Sequence, residues 1–279
     1  MVRLIAFLIS TFLISLAGNN AYADILFEGY SKVTSEQKHI GFTISRYEFD
    51  AKKNHFISTY FTKIAVGRNE VTESLKAVAD SELNPISYEY TQVAGSNTKT
   101  IDAKFNGLKF SGIITENGST KKINKNIEKG TFLSTFLVYL MLKSKTGLQS
   151  DTTYEYKAIA EEDGEIVSGK AVVGKLETFN GTSTYKILNT FKDASFVSFV
   201  SERGEVLGTQ ADSHGIHTQL VAKPSEATQG FKISESVMKS LFGDSPKGLT
   251  NVLSKRSSES LKSSEPMIIK KSDNQKIGK

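Results

Sequence analysis

Five glycine turns punctuate the middle of this 279-residue chain and leave it little choice of architecture. Asn106-Gly107, Asn117-Gly118 and Asn180-Gly181 are two-residue hairpin signals, because both central positions of such a turn must tolerate positive φ. Asp163-Gly164 and Arg203-Gly204 serve the same purpose with less force. The runs between them read as strands: Gly107–Thr115, Thr152–Glu161, Glu165–Phe179, Thr182–Phe191 and Ser195–Ser201. Ile40, Phe42 and Ile44 fall on one face of such a run, with Thr43 and Ser45 on the other. Tyr154 and Tyr156 share a face, as do Ala103 and Phe105. This alternation predicts antiparallel sheet with one side buried. Pro85 is the only proline between Asp24 and Ala222, as a set of paired strands requires.

One segment departs from the pattern. In Phe132–Leu142 (FLSTFLVYLML), nine of eleven positions are apolar or tyrosine. Thr131 is placed to cap a helix, Lys143 and Lys145 suit its C-terminus, and Gly147 stops it, which predicts a helix over 131–145. Its apolar residues surround the axis instead of forming one stripe, so it should be buried on most sides. It is read as a plug for the sheet, as the lining of an apolar cavity, or as a buried strand. In the second case Phe132, Phe136, Tyr139, Leu140 and Met141 are the candidate ligand-binding residues.

The ends differ from the body. Met1-Val2-Arg3 is a basic start, Leu4–Ala17 is an apolar run, and Ala21-Tyr22-Ala23 places small residues two apart. That order is a secretory signal peptide, and the apolar run falls short of the roughly 20 residues that a spanning helix needs. The expectation is cleavage near Ala23, a periplasmic or secreted product, and no transmembrane span in the mature chain. With no cysteine there is no disulfide, thiolate metal site or cysteine nucleophile.

The charge divides the remainder at about residue 222. The segment 24–222 holds 23 basic and 24 acidic residues, and 223–279 holds 11 and 6. A near-neutral body argues against a nucleic-acid partner, whose binding domains carry a basic face. The expected organisation is a signal peptide (1–23), an antiparallel β domain (24–222) and a basic, serine-rich tail (223–279). Within the tail, Ile233, Val237, Met238, Leu241 and Phe242 have helical spacing after Ser234 and predict a short helix over 233–243. From Ser254 to Lys279 the apolar content is too low to pack, and a flexible segment is expected. Such a tail could contact an envelope protein or an anionic surface.

The layout resembles exported bacterial half-barrel proteins of the lipoprotein-carrier type, and similar uncharacterised periplasmic families. The features that carry the resemblance begin with the Gly29-Tyr30 strand, the HIGFTIS strand containing Gly41, and the mid-chain helix. Tyr154-x-Tyr156, Gly174-Lys175-Leu176-Glu177, Asn180-Gly181 and Tyr185-Lys186 follow in that order. The last are Phe196–Ser201 and Glu202-Arg203-Gly204-Glu205-Val206-Leu207. The resemblance covers about 25–222, and it lacks tryptophan and adds the basic tail. It implies a mainly β fold, with a strongly bent antiparallel sheet, half-barrel or open barrel, around one apolar helix. It also implies a non-enzymatic envelope protein, some relatives of which bind acyl chains in the concavity. A lipid-like or other apolar ligand is then the expected partner, with a packed interaction module as the alternative.

Catalytic and metal constellations are not legible. His214 and His217, three apart in an extended segment, point to opposite faces. Asp212-Ser213-His214 holds the residue types of a triad, but neighbours in sequence seldom converge as a triad must. Glu161-Glu162-Asp163 precedes Gly164 and reads as a solvated turn. Lys121, Lys122 and Lys125 read as guards on an exposed strand. No catalytic residue, metal ligand or cofactor is expected.

Overall fold

A computed structural model describes residues 23–211 and 215–255. The first half is a meander of eight strands: β1 (Asp24–Ser35), β2 (Lys38–Asp50), β3 (His55–Val66), β4 (Asn69–Asp80), β5 (Pro85–Ala94), β6 (Asn97–Asn106), β7 (Lys109–Glu116) and β8 (Ser119–Asn126). Next come a two-residue strand β9 (Phe132–Leu133), a single 3-10 turn (Ser134–Phe136) and helix α1 (Leu137–Lys143). A second meander runs through β10 (Thr153–Ala160), β11 (Glu165–Phe179), β12 (Thr182–Phe191), β13 (Ala194–Ser201), β14 (Val206–Ala211) and β15 (Ile216–Val221). Helices α2 (Pro224–Thr228) and α3 (Glu235–Phe242) follow.

All fifteen strands form one sheet, in which β15 pairs antiparallel with β1 and so joins the two meanders. The sheet's free edges are β8 and β9, which the linker 127–131 connects. The sheet therefore curls until its edges approach each other. Lys125 on β8 donates to the Gly164 carbonyl at 3.0 Å and pairs with Glu165 at 3.1 Å, both at the β10–β11 hairpin. Among the described residues no backbone ladder joins β8 to β9, so the sheet stays open.

A turn falls at each of the five glycine signals, but only Asn117-Gly118 and Asn180-Gly181 form the predicted two-residue loop. At Asn117-Gly118 and Asn180-Gly181 both residues have positive φ, the twist that suits a two-residue hairpin. At the β6–β7 turn Asn106 instead ends its strand opposite Lys109, and the loop is Gly107-Leu108, with Gly107 at φ 58°. Pro85 opens β5, where its missing N–H is tolerated.

The two faces of the sheet are covered differently. On the inner face Tyr88, Tyr90 and Phe110 alternate with Ala77, Ala79 and Ala103. They pack with Phe132, Leu133 and Phe136 into one cluster, with partly buried Leu137, Tyr139 and Leu140 of α1 against it. Large and small side chains interdigitate here, which fills the volume around α1. On the outer face Tyr30, Phe42, Ile44 and Val221 pack against Ala227 of α2 and Met238 and Phe242 of α3. The alternation of Phe42 and Ile44 thus buries them beneath the C-terminal helices and not around α1.

Two expectations need correction. The helix does not span 131–145. Phe132 and Leu133 pair with Ala158 and Ile159 as a strand, and regular helix covers Leu137–Lys143. The start is held by Glu161, which accepts from Ser134 Oγ and from the Thr135 backbone N–H, while the Thr131 hydroxyl is buried without a partner. The boundary at 222 also fails to separate body from tail, because 224–255 is folded onto the sheet. α3 itself lies within the predicted range, with Ser234 Oγ accepting from Val237 N and Gly243 closing it at φ 85°. Beyond it, Lys247 N and Gly248 N donate to Glu28, Asn251 Nδ2 donates to the Glu28 carbonyl, and Val252 N donates to Glu205. The signal-peptide expectation (1–23) falls almost wholly outside the described residues, and so does the flexible segment expected over 254–279, except that Ser254 is buried and its hydroxyl donates to the Leu249 and Asn251 carbonyls, against that expectation.

Candidate functional site

A groove of about 730 Å³ lies where α1 passes behind β10 and β11. Leu140 of α1, Tyr156 of β10 and Gly169 of β11 line it, with Lys129 and Gly130 from the linker between β8 and β9. Glu155 and Lys157 of β10, Ser168 and Lys170 of β11, and Thr190 of β12 complete the wall.

Strand pairing explains why the groove lies here. β9 covers β10 only at Ala158 and Ile159, so Thr153–Lys157 have a strand neighbour on one side alone. Opposite Tyr156 the register places Gly169, and a Cβ on that glycine would sit 2.3 Å from the Tyr156 ring. The glycine lets the ring lie flat over the β11 backbone, which gives the groove a smooth apolar wall. Phe132 meets that ring edge-on at 5.6 Å and Phe191 stacks beside it at 6.1 Å. Burial pushes the Tyr156 hydroxyl up to about 12.

The five residues singled out from the sequence all lie on β9, the 3-10 turn or α1, but they face different ways. Leu140 lines the groove. Phe132 and Phe136 are buried in the inner cluster. Met141 is buried with Ala171, Val173, Ile187 and Val200 on the other side of α1. Tyr139 packs on Tyr47 and Phe56, with ring centroids 5.1 and 5.5 Å away, and burial holds its hydroxyl above its ordinary value. A substitution at Phe136 therefore reports on folding and not on ligand contact.

Two buried polar groups were not legible as such. Glu161, expected in a solvated turn, is 4% exposed. Burial lifts its carboxyl to about 7 against the opposing hydrogen bonds from Ser134 Oγ at 2.5 Å and Thr135 N at 3.1 Å. Thr135 continues the chain to β2 and β3. Its carbonyl accepts from Tyr47 at 3.0 Å and its hydroxyl lies 2.7 Å from Ser58 Oγ. The start of α1 is thereby tied to both halves of the sheet. Glu162 and Asp163 do stay at the surface, paired with Lys192.

The second group is Arg46, buried beneath α3. Its Nε donates to Glu28 at 2.7 Å, Nη1 donates to the Phe242 carbonyl at 3.0 Å, and Nη2 also reaches Glu28 and Asp244. The only hints in the sequence were an arginine and a glutamate on buried-type strands.

Among the described residues no group of three or more histidine, cysteine, aspartate or glutamate side chains could hold a metal. His214 and the Asp212-Ser213-His214 run lie outside the described residues, and His217 sits on β15. Among the described residues no helix is long and apolar enough to cross a membrane.

No family model matches the chain, and no curated protein matches it. Among solved structures it is similar to a β-barrel-like protein of a domain of unknown function, DUF1849, from Brucella abortus. The match has 12% identity and a TM-score of 0.50, and covers 71% of this chain and 97% of that one. At that identity the likeness carries the fold alone. It supports a mostly β, curled open sheet with few short helices, in the manner of an uncharacterised bacterial family; a lipoprotein-carrier relationship does not follow from it.

Proposed function

We propose that this chain is a non-enzymatic envelope protein that binds an amphipathic, lipid-like molecule in the groove between α1 and strands β10–β12, after export and removal of residues 1–23. The observation that carries this reading is the groove itself. At about 730 Å³ it falls within the roughly 300–1,000 Å³ of small-molecule sites, and Leu140 and the exposed side of the Tyr156 ring offer an apolar wall. The ligand lies at the margin of the inner core and not between helix and sheet, because Phe132, Phe136 and Met141 are already packed there. Each methylene taken from water contributes about 0.8 kcal/mol, so a chain of roughly ten carbons gains about 8 kcal/mol before the cost of association, which leaves an affinity nearer millimolar than micromolar.

Displacement of a fluorescent fatty-acid probe tests the reading. Leu140→Gln should weaken probe binding at least fivefold with the β-sheet circular dichroism unchanged. Unaltered binding in a folded L140Q variant would remove the groove from consideration. Failure of the wild-type protein to take the probe would return attention to the alternative, an interaction module with a fully packed core.

A further inference from the structure

Resting on that reading, we propose that the groove selects single-chain amphiphiles with an anionic head, held by Lys129 and Lys170 while Leu140 and Tyr156 receive the chain. Lys129 lies on the linker between β8 and β9, and Lys170 lies on β11. The fold brings both to one groove although they are far apart in sequence. Both are exposed, and neither has an ion-pair partner among the described residues. The third lysine of the wall, Lys157, is engaged by Glu128 at 2.5 Å. Other lysines around the β10–β11 hairpin are likewise paired, Lys125 with Glu165 and Lys192 with Glu162 and Asp163.

Against the two unpaired ammonium groups the groove sets one carboxylate, Glu155, which faces Lys170 across the β10–β11 register. Leu140 and Tyr156 thus give the lining its apolar part, and Lys129 and Lys170, set against Glu155, leave its polar part net positive. That arrangement is complementary to a hydrocarbon chain ending in a carboxylate or other anion, and it disfavours a cationic head through like-charge contact.

Calorimetric titration of the full mature chain with decanoate, decyl glucoside and decyltrimethylammonium, each below its micellar concentration, tests the assignment. Decanoate should bind about tenfold more tightly than the glucoside, the sum of two exposed charge contacts of modest strength, and the cation more weakly than either. The double variant Lys129→Ala/Lys170→Ala should bring decanoate down to the level of the glucoside and leave glucoside binding unchanged. Glu155→Gln should tighten decanoate about threefold. Equal wild-type affinity for decanoate and glucoside, or a preference that survives the double substitution, would overturn the charge selection and leave the groove in place as a site. If none of the three ligands binds, the groove reading falls, and the head-group assignment falls with it.

Discussion

The inner and outer faces of the same sheet are held by opposite means. Inside, α1 is seated by close packing of Phe132, Leu133 and Phe136 against alternating tyrosines and alanines, with one polar chain through Glu161 and Thr135 at its start. Outside, a smaller apolar cluster is supplemented by charge. Arg46 and Glu28 are buried together and bind the chain from Phe242 to Asn251, some 200 residues away in sequence. Packing tolerates imprecision at each contact because many contacts share the load. A buried ion pair does not, because removing one partner strands the other.

Paired substitutions should expose that contrast. Phe136→Ala should cost about 3–5 kcal/mol in chemical denaturation, since a fully buried phenylalanine leaves a cavity in a dense core. Arg46→Met should cost a similar amount, about 3–5 kcal/mol, by leaving Glu28 buried and unpaired. Hydrogen exchange should separate the two. R46M should expose 244–255 selectively, whereas F136A should raise exchange across β4–β7 and β10. Equal exchange over both regions in both variants would mean that the faces are not distinct units.

Glu161 gives the inner face a pH dependence. Its carboxyl is raised, so the group adds no penalty below its unfolded value near 4.5 and an increasing one as pH climbs to about 7. Stability should therefore fall as pH rises from about 4.5 to 7, by roughly 2–4 kcal/mol. Glu161→Gln should flatten that dependence and be the more stable protein at pH 8. A wild-type protein equally stable at pH 5 and pH 8 would contradict a buried, lifted carboxyl.

Smaller effects belong to the groove and the surface. Gly169→Val should cost about 1–3 kcal/mol by driving the Tyr156 ring off the β11 backbone, and should narrow the groove at the same time. Lys157→Ala should cost less than about 1 kcal/mol, because its pairing with Glu128 is at the surface. A larger loss there would assign the linker between β8 and β9 a structural weight that its exposure does not suggest.

What could be read from the sequence follows the same division. The turns at Asn117-Gly118 and Asn180-Gly181, the strands β11 and β12 to the residue, and the α3 cap at Ser234 are local, because a few adjacent residues determine each of them. The Phe132–Leu142 run announced an apolar element for the same reason, but burial is complete only at Phe132, Leu133, Phe136 and Met141, and the rest of the run is half-buried instead of enclosed on most sides. Its first residues became strand because Ala158 and Ile159, 26 residues on, offered the backbone partners. Glu161 and Arg46 were opaque because a carboxylate or guanidinium has no local mark of burial, and its partners must be brought from distant strands. The groove was legible in part. Leu140 was named, but the Gly169 vacancy under Tyr156 exists only once β10 and β11 are in register.

The central claim, that the groove beside β10 is a ligand site, is tested most directly by native mass spectrometry of the mature protein recovered from a bacterial envelope without detergent. The wild-type protein should carry extra mass that organic extraction removes, and that is missing from the Gly169→Val and Leu140→Gln proteins. A bare polypeptide mass in the wild-type protein, unchanged after incubation with decanoate, would contradict it.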